Sequence, residues 1–405
     1  MSEVVLPEQQ VERGVPGKPI VLVVMDGLGG LPHPDTGRTE LETARTPNMD
    51  ALAARGSLGM TVMVKEGITP GSGPGHLSLF GYDPTRYVIG RGALSALGVG
   101  IELEAGDVAA RLNLATFDDQ GRVSDRRAGR PSDADAARVV ERVQKAVEAP
   151  EGVEVKFIPE KEHRVVLHLR GPGLGGAAIS DTDPLETGRT ALPVQALDAG
   201  SKATATVVAG ILDQTRRILA DEPRMNGFLA RGFAAFERIP SMDERFGLKG
   251  LAIAKYPMYR GAARLVGMQI PGVPKSTEDT VTLLEKSWGK ADLYFLHFKD
   301  TDTKGHDGDF AGKVSAIEEV DALIPRINAL RPEVIIITGD HSTPAIYKEH
   351  SWHHVPALLA SPWARPTGAE FGESACRAGD LGVIHATDLM PLALAHAGRL
   401  VKYGA

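Results

Sequence analysis

The amino-acid sequence predicts an α/β fold with a mostly parallel sheet, into which a smaller α/β domain is inserted. One observation is a set of four nearly continuous apolar runs, often β-branched, which are typical of parallel strands covered by helices on both faces. These runs are Pro19–Met25, Gly250–Ala254, Asp292–Phe298 and Val334–Thr338. The other is a long stretch of different texture that separates the first run from the other three.

That stretch, residues 105–245, mixes amphipathic helices with strands of alternating polarity. The predicted helices and strands within it are Asp133–Ala149, Glu154–Ile158, Arg164–Leu169 and Thr204–Leu219. Because the strands before and after it resemble each other, we expect 105–245 to be inserted into one discontinuous domain. That domain would comprise residues 1–104 and 246–405.

Two further segments outside the insertion are predicted to be helices. Thr46 is a plausible N-cap, and Pro47 suits the first position of a helix that runs through Arg55. Phe310–Leu330 repeats apolar residues at helical spacing and is expected to form one long helix.

Composition excludes several classes of protein. With 24% charged and 42% hydrophobic residues, the chain of 405 residues is globular, and its formal net charge is -7. Lys and Arg are scattered, so neither nucleic acid nor an anionic membrane is expected as the main partner. The single cysteine, Cys376, excludes a disulfide within the chain and is expected to act as a small apolar side chain. The first 18 residues are polar and Ile20–Met25 is far too short to span a bilayer, so we expect a cytoplasmic protein.

Acidic residues follow three of the four predicted strands, at the edge where open α/β sheets form their sites. They are Asp26, then Asp300 and Asp302, then Asp340. Alone, each has a plain structural explanation, such as a turn or a helix cap.

Histidines accompany these carboxylates. His306 lies four residues after Asp302, so one helical turn would put both on the same face, and His341 follows Asp340 directly. His350, His353 and His354 lie close together in a polar loop, and the spacing does not choose between them. Carboxylate oxygen and imidazole nitrogen suit Zn, Mn or similar divalent ions. Six such side chains would make two metal sites with positions left open for a substrate.

A serine in a glycine-rich segment is the candidate nucleophile. Ser72 lies in Thr69-Pro-Gly-Ser-Gly-Pro-Gly-His76, where Gly71, Gly73 and Gly75 would permit the unusual dihedrals of a sharp turn. That turn would present Ser72 at a helix N-terminus, where backbone amides favour a phosphate. By itself the segment is more typical of an ordinary Gly/Pro loop than of a nucleophile. The metal set supports the serine, since metal coordination would lower its pKa.

Basic residues cluster in the predicted insertion and after one strand. In the insertion they are Arg126, Arg127, Arg130, Lys161, His163 and Arg164; after the strand they are Lys255 and Arg260, with Tyr256 and Tyr259 between them. Guanidinium groups match phosphate and carboxylate geometry, although a solvated surface explains the cluster in the insertion equally well.

Together these segments resemble the alkaline phosphatase superfamily and, within it, the cofactor-independent phosphoglycerate mutases of the archaeal type. The matching segments are VVMDGLGG (23–30), GITPGSGPGHLSLFGYDP (67–84), DRRAGR (125–130), EHRVVLHLRG (162–171), ISDTDP (179–184), AKYPMYRGAARLVGM (254–268), DTDTKGH (300–306), TGDHSTP (338–344) and HSWHHVP (350–356). The resemblance implies an alkaline-phosphatase-like three-layer domain with a mostly parallel sheet.

The resemblance also implies ligand sets for two divalent ions of the Mn, Zn, Co or Mg class. One set is Asp26, Ser72, Asp340 and His341; the other is Asp302, His306 and His350. It thereby favours His350 over its two neighbours. Lys255 sits where the family has a lysine that touches the transferred phosphate.

The implied reaction interconverts 3-phosphoglycerate and 2-phosphoglycerate through a phosphoserine, without 2,3-bisphosphoglycerate. The inserted domain would close over this small phosphorylated acid and exclude water. Its predicted substrate-binding residues, together with one after the strand, are Arg126, Arg127, Arg130, Arg164 and Arg260. Asp125 and His163 are the candidates for general acid and base. The alternatives are a metal-dependent phosphatase, a phosphotransferase of the homoserine-kinase kind and a non-catalytic metal-binding protein.

Overall fold

The computed structural model describes residues 10–15, 18–366 and 368–403, which form two compact units. The discontinuous unit comprises the chain up to residue 88 and from residue 240 onward, and the inserted unit comprises residues 89–239. These boundaries lie before the predicted ones at 105 and 245. The difference at the first boundary arises because the helix Arg91–Val99 packs on strands of the inserted unit.

The two units contain twelve strands among the described residues. In chain order they are β1 Ile20–Met25, β2 Ser57–Val62, β3 Val108–Phe117, β4 Val123–Asp125, β5 Glu154–Lys161, β6 Arg164–Arg170, β7 Gly227–Ala235, β8 Gly250–Ala254, β9 Leu293–Phe298, β10 Val334–Thr338, β11 Val355–Ala360 and β12 Gly382–His385.

The described α-helices number fourteen, and a 3₁₀ turn, Ala386–Asp388, precedes the last of them. In chain order they are α1 Glu40–Thr43, α2 Pro47–Ala53, α3 Ser72–Leu79, α4 Arg91–Val99, α5 Asp133–Ala146, α6 Lys202–Ile218, α7 Met242–Phe246, α8 Pro257–Leu265, α9 Thr277–Ser287, α10 Asp300–Asp307, α11 Phe310–Asp321, α12 Ile324–Ala329, α13 Glu373–Arg377 and α14 Leu389–His396.

The discontinuous unit is built on a seven-stranded sheet in the order β12-β2-β11-β10-β1-β9-β8. The four predicted apolar runs are its adjacent strands β10, β1, β9 and β8, and all of them are parallel. Strand β11 runs antiparallel to both neighbours, so the sheet is mixed but mostly parallel, as predicted. Alternate residues of β1 join a core formed with α2, α9, α11 and α12, while the residues between them are equally buried on the opposite face.

One predicted helix is wrong. The segment Phe310–Leu330 forms two helices, because α11 ends at Asp321 and α12 begins at Ile324. Pro325, in the first turn of α12, has no N–H to donate to the carbonyl of Asp321 and cannot continue the earlier helix. The helix predicted after Thr46 is present as α2, with Pro47 in its first turn.

The inserted unit contains an antiparallel sheet in the order β4-β3-β6-β5, with β7 also paired to β3. One face packs on α5 and α6 through apolar residues that include Leu112 and Leu114 of β3. Ala109 of β3 instead packs against Ala96 of α4, which therefore covers part of the other face. Because side chains alternate along a strand, Arg111 and Asn113 project from the α4 side of the sheet.

Composition also led to expectations about membrane spans and about the single cysteine. Within the described ranges, no helix is both long enough and apolar enough to cross a membrane. Cys376 is buried in the core of the discontinuous unit, where burial raises the pKa of its thiol to about 12. The thiol therefore acts as a small apolar group, as expected.

Candidate active site

The predicted metal ligands converge at one edge of the discontinuous unit's sheet. Strands β10, β1 and β9 are adjacent and parallel, so their carboxyl ends lie side by side. Asp26 directly follows β1, Asp302 lies in the first turn of α10 just after β9, and Asp340 and His341 follow β10. The topology therefore brings together residues that are more than 300 positions apart in the chain.

A first group of possible metal ligands consists of Asp26, Asp340 and His341, all fully buried. His341 Nε2 lies 3.2 Å from Asp26 Oδ1 and 3.4 Å from Asp340 Oδ2. Asp26 Oδ1 and Asp340 Oδ2 are buried without a hydrogen-bond partner in the described structure. Buried, unpartnered carboxylate oxygens beside an imidazole nitrogen fit a divalent cation.

A second group consists of Asp302, His341 and His350. His350 Nε2 lies 3.6 Å from Asp302 Oδ1, and the rings of His341 and His350 stack with centroids 3.6 Å apart. The predicted ligand His306 lies at the margin of this group, with Nε2 at 3.5 Å from Asp302 Oδ1. The two groups share His341, so the six predicted side chains form one continuous cluster.

The histidines of the cluster are oriented through their other ring nitrogens. His350 Nδ1 lies 2.9 Å from the carbonyl of Pro70, and His306 Nδ1 lies 3.1 Å from that of Lys348. His341 Nδ1 lies 2.9 Å from the hydroxyl of Thr343. A carbonyl partner requires the proton on Nδ1, which leaves the Nε2 lone pair of His306 and His350 free to coordinate a cation.

The neighbouring histidines of the same loop point elsewhere. His354 Nε2 contacts Glu66 Oε2 at 2.9 Å, and His353 Nδ1 contacts the hydroxyl of Ser351 at 3.0 Å. Neither residue belongs to a ligand group among the described residues. The geometry therefore supports His350 as the ligand from this loop.

Ser72 is the first residue of α3, and its Oγ lies 3.2 Å from His341 Nε2. It therefore combines a helix N-terminus with direct contact to the ligand cluster. The explanation expected for its glycines was wrong, because Gly71, Gly73 and Gly75 all have negative φ. Gly75 is required by space instead, since a Cβ there would lie 2.1 Å from the carbonyl oxygen of Asp340.

A layer of buried side chains behind the cluster was not predicted. His76 Nδ1 contacts the carbonyl of Ser72 at 2.7 Å and lies 3.2 Å from Asp340 Oδ2. Burial opposes protonation of His76, but Asp340 outweighs it, so the pKa of His76 is raised. His297 Nε2 lies 3.3 Å from Asp26 Oδ2, and its ring stacks on Tyr259. His76 ends the glycine-rich segment that contains Ser72, which could have signalled it, whereas His297 lies within β9 and has no motif of its own.

Lys299 is the second feature that sequence reasoning missed. Its ammonium lies 2.9 Å from Asp26 Oδ2 and also contacts Asp302. Burial disfavours charge on all three groups, but opposite charges and hydrogen bonds outweigh it. The pKa of Lys299 is raised by Asp26, that of Asp26 is lowered by Lys299, and that of Asp302 is lowered by its hydrogen bond with His350 and by Lys299. Lys255, predicted to contact the transferred phosphate, is exposed at the end of β8, and Arg260 donates to the carbonyls of Ala254 and Lys255.

A buried lysine holds together the loops that carry the ligands. Lys313 of α11 is fully buried, and its ammonium donates to the carbonyls of Gly27 at 2.9 Å, Gly29 at 3.1 Å and Thr343 at 2.9 Å. The first two follow Asp26, and the third lies two residues after His341. Thr343 in turn contacts Asp302 Oδ1 at 2.8 Å through its hydroxyl.

Two buried glutamates complete this clamp. Glu40 Oε1 lies 3.8 Å from the Lys313 ammonium and accepts the N–H of Ala345 at 2.7 Å. Glu373 Oε1 accepts the N–H of Gly30 at 3.0 Å. Lys313, Glu40 and Glu373 therefore fix the loops after β1 and β10 from behind the cluster.

In the inserted unit, some of the predicted site residues form ion pairs or hydrogen bonds with their neighbours, and others are exposed. Arg126 forms a bidentate ion pair with Asp183, at 2.7 and 2.8 Å. Asp125 accepts the backbone N–H groups of Arg127 and Gly129, so its carboxylate shapes the turn between β4 and α5. The remaining predicted residues are the buried His163, the half-buried Arg164 and the exposed Arg127 and Arg130.

Comparisons with known proteins identify the family of this chain. Residues 53–225 match a family model described as 2,3-bisphosphoglycerate-independent phosphoglycerate mutase. A Thermus thermophilus protein named probable 2,3-bisphosphoglycerate-independent phosphoglycerate mutase is 50% identical over 98% of both chains.

Solved structures share the fold over nearly the full chain. A protein from Pyrococcus horikoshii has a TM-score of 0.83 at 29% identity and covers 96% of this chain and 100% of its own. The cofactor-independent phosphoglycerate mutase from Thermoplasma acidophilum has a TM-score of 0.70 at 28% identity, with coverages of 94% and 100%. The chain belongs to the family of 2,3-bisphosphoglycerate-independent phosphoglycerate mutases.

Proposed function

We propose that this protein interconverts 3-phosphoglycerate and 2-phosphoglycerate without 2,3-bisphosphoglycerate, through a phosphoserine at Ser72. The observation that carries the proposal is the contact of Ser72 Oγ with His341, the residue shared by both ligand groups. A hydroxyl at that position would lie beside any cation that the cluster binds. Family membership supports the same reaction.

Two divalent ions would be held by this cluster. Asp26, Asp340, His341 and Ser72 would hold one, and Asp302, His350 and the marginal His306 would hold the other. When bound, such ions lower the pKa of a coordinated hydroxyl and neutralise charge on phosphoryl oxygens. The class of ion, Mn, Zn, Co or Mg, follows from the oxygen and nitrogen donors.

The chain's own groups would then carry out the transfer. Ser72 loses its hydroxyl proton as the bond from its Oγ to phosphorus forms and the bond from phosphorus to one glycerate oxygen breaks. That oxygen takes up a proton, so the step balances. In the reverse step, the other glycerate hydroxyl loses its proton and receives the phosphoryl group from Ser72. The free N–H groups at the start of α3 and the ammonium of Lys299 favour the phosphoryl charge.

The test is an interconversion assay without added 2,3-bisphosphoglycerate, in the presence and absence of a chelator. We expect the chelator to abolish activity and Ser72→Ala to lower it by at least about 10⁴-fold. The matched control is Ser315→Ala, because Ser315 is an exposed serine of α11 whose hydroxyl bonds only within its own helix. Its activity should equal that of the wild type.

Two results would refute the proposal. Undiminished interconversion by Ser72→Ala would exclude the phosphoserine. Release of one inorganic phosphate per phosphoglycerate consumed would instead identify a phosphatase, in which water reaches the same site.

A further inference from the structure

A cavity lies at the amino edge of the discontinuous unit's sheet, at the other end of the strands from the candidate active site. Strands β10, β1, β9 and β8 are adjacent and parallel, so their amino ends lie side by side, as their carboxyl ends do. Residues just before each of these strands line the cavity, whose volume is about 650 Å³. Sites for small molecules commonly measure about 300–1,000 Å³, so a metabolite would fit.

Basic side chains reach this cavity from the amino end of each of the four strands. They are Lys18 before β1, Lys249 before β8, Lys290 before β9 and Arg331 before β10. None of these four side chains forms an ion pair or a hydrogen bond with another residue that the structure describes. The sheet topology therefore gathers cations from distant segments of the chain without giving them partners.

A buried arginine adds a further cation to the lining. Arg399 is only 2% exposed, and its Nη2 donates to Asp292 Oδ1 at 2.7 Å and to the carbonyl of Lys18 at 3.4 Å. Its Nε is buried without a partner in the described ranges. Asp292 is already engaged, since its other oxygen accepts the N–H of Lys249 at 3.0 Å. The other acidic residue of the described lining is the exposed Asp243, so positive charge exceeds negative charge in the cavity.

The backbone of Arg331 is a separate indication that its side chain serves a ligand. Arg331 lies just beyond the C-terminus of α12 and has a φ of 57°, in the left-handed region. Helices commonly end with glycine at this position, because a side chain there strains the backbone. An arginine that lines the cavity occupies it instead. Stability does not explain this choice, whereas binding of an anion does.

We propose that this cavity binds a metabolite with linked phosphate groups, with Lys249 and Arg331 among its ligands. A cleft lined by one sign of charge concentrates ligands of the other sign, and both lysine and arginine suit phosphate. Several cations in one cavity match a diphosphate better than a singly phosphorylated compound. Trp288 lines the same cavity, so a nucleotide base would add an aromatic contact. The inference does not depend on the proposed function, since it concerns the other edge of the sheet.

The experiment measures the binding of inorganic pyrophosphate, ADP and citrate to the full chain by calorimetry. Binding at the candidate active site is common to all variants, so differences between variants report on the cavity. We expect Lys249→Met to weaken pyrophosphate binding by at least about 10-fold, through the loss of one charge-assisted hydrogen bond. The matched control is Arg377→Met, which removes an exposed arginine of α13 that donates to Ser374 outside the cavity, and binding should not change.

A second variant separates ligand binding from a structural role. Glycine adopts the left-handed backbone without strain, so Arg331→Gly should leave the thermal unfolding midpoint unchanged or raise it. The same substitution should weaken pyrophosphate binding by at least about 10-fold. Pyrophosphate should therefore raise the midpoint of the wild type more than that of Arg331→Gly. An arginine retained for stability would give the opposite result, a lower midpoint with unchanged binding.

The probes distinguish the sources of the phosphate chemistry. Tighter binding of ADP than of pyrophosphate would add the base to what the cavity recognises, and equal or weaker binding of ADP would confine recognition to the phosphates; both support the inference. Citrate binding as tight as pyrophosphate binding would overturn it, as would absence of binding by both pyrophosphate and ADP. Equal pyrophosphate affinity in Lys249→Met, Arg331→Gly and the Arg377→Met control would overturn it as well.

Discussion

The two units of this chain handle buried charge in opposite ways. In the discontinuous unit, Asp26 and Asp302 are matched by Lys299 at hydrogen-bond distance, and the loops around them are held by Lys313. In the inserted unit, Arg111 lies directly opposite another arginine, Arg231, and the carboxylates of Glu160 and Asp183 lie 3.8 and 3.7 Å from these two, beyond hydrogen-bond distance.

The difference follows from the two sheets. Parallel strands such as β1 and β9 are buried on both faces, so charged side chains occur only beyond their carboxyl ends, where adjacent loops can enclose them. An antiparallel strand such as β3 buries one face on helices and can carry arginines on the other. We therefore expect substitutions in the first unit to disturb folding and metal binding together, and those in the second to disturb ligand binding mainly.

The largest expected effect is that of Lys313→Met. It leaves three carbonyls without their donor and the buried Glu40 without its cation, so the free energy of unfolding of the metal-free protein should fall by about 3–5 kcal/mol. Denaturant titration measures this, and calorimetry with Mn²⁺ should show weaker metal binding because the loops carrying Asp26 and His341 loosen.

The matched control is Lys145→Met in the inserted unit, where an exposed lysine pairs with Glu141. This substitution should lower the free energy of unfolding by less than about 1 kcal/mol. Equal losses in the free energy of unfolding for the two substitutions would contradict the role of Lys313 in holding these loops. Unchanged metal affinity in Lys313→Met would contradict it as well.

A smaller effect is expected from Gly75→Ala. The added methyl would meet the backbone oxygen of Asp340 and push α3, with Ser72, away from the ligand cluster. A displacement of about 1 Å should lower kcat by about 100-fold.

Gly210→Ala is the control in the inserted unit, since a Cβ added there, in the middle of α6, would meet nothing within 4 Å. It should leave activity intact and raise the free energy of unfolding by up to about 1 kcal/mol. Full activity of Gly75→Ala would show that the close approach is not needed.

The smallest effect concerns pH and the inserted unit alone. His163 has an ordinary pKa of 6.5 when unfolded and about 4 when folded, owing to burial and the neighbouring arginines. Between these values the unfolded state binds more protons, so the free energy of unfolding falls as pH drops from 6.5 to 4. His163→Gln should remove this part of the pH dependence, on the order of 1 kcal/mol, measured by denaturant titration across that range.

The exposed His385 provides the comparison for that experiment. His385→Gln should leave the pH dependence of the wild type in place. If His163→Gln also leaves this pH dependence unchanged, burial and the neighbouring arginines do not lower the pKa of His163.

The metal ligands could be predicted from the sequence, but the charged residues around them and in the inserted unit could not. Asp26, Asp302, Asp340 and His341 were predictable because each follows an apolar strand, and in a parallel sheet the strand ends meet. His350 needed the resemblance, since three histidines of one loop look alike until their hydrogen bonds are seen. Lys299, Lys313 and Arg111 could not be predicted, because their roles depend on neighbours supplied by distant segments.

The sequence by itself determined the parallel core, the residues at its carboxyl edge and the family. Periodicity and strand-end chemistry are local, so they are readable one segment at a time. Only the tertiary structure decided that Gly75 is needed for close approach rather than for its dihedrals, that Lys299 lies among the carboxylates, and that Arg111 lies opposite Arg231. Each of these depends on which strands and loops become neighbours, and that is a property of the whole packed chain.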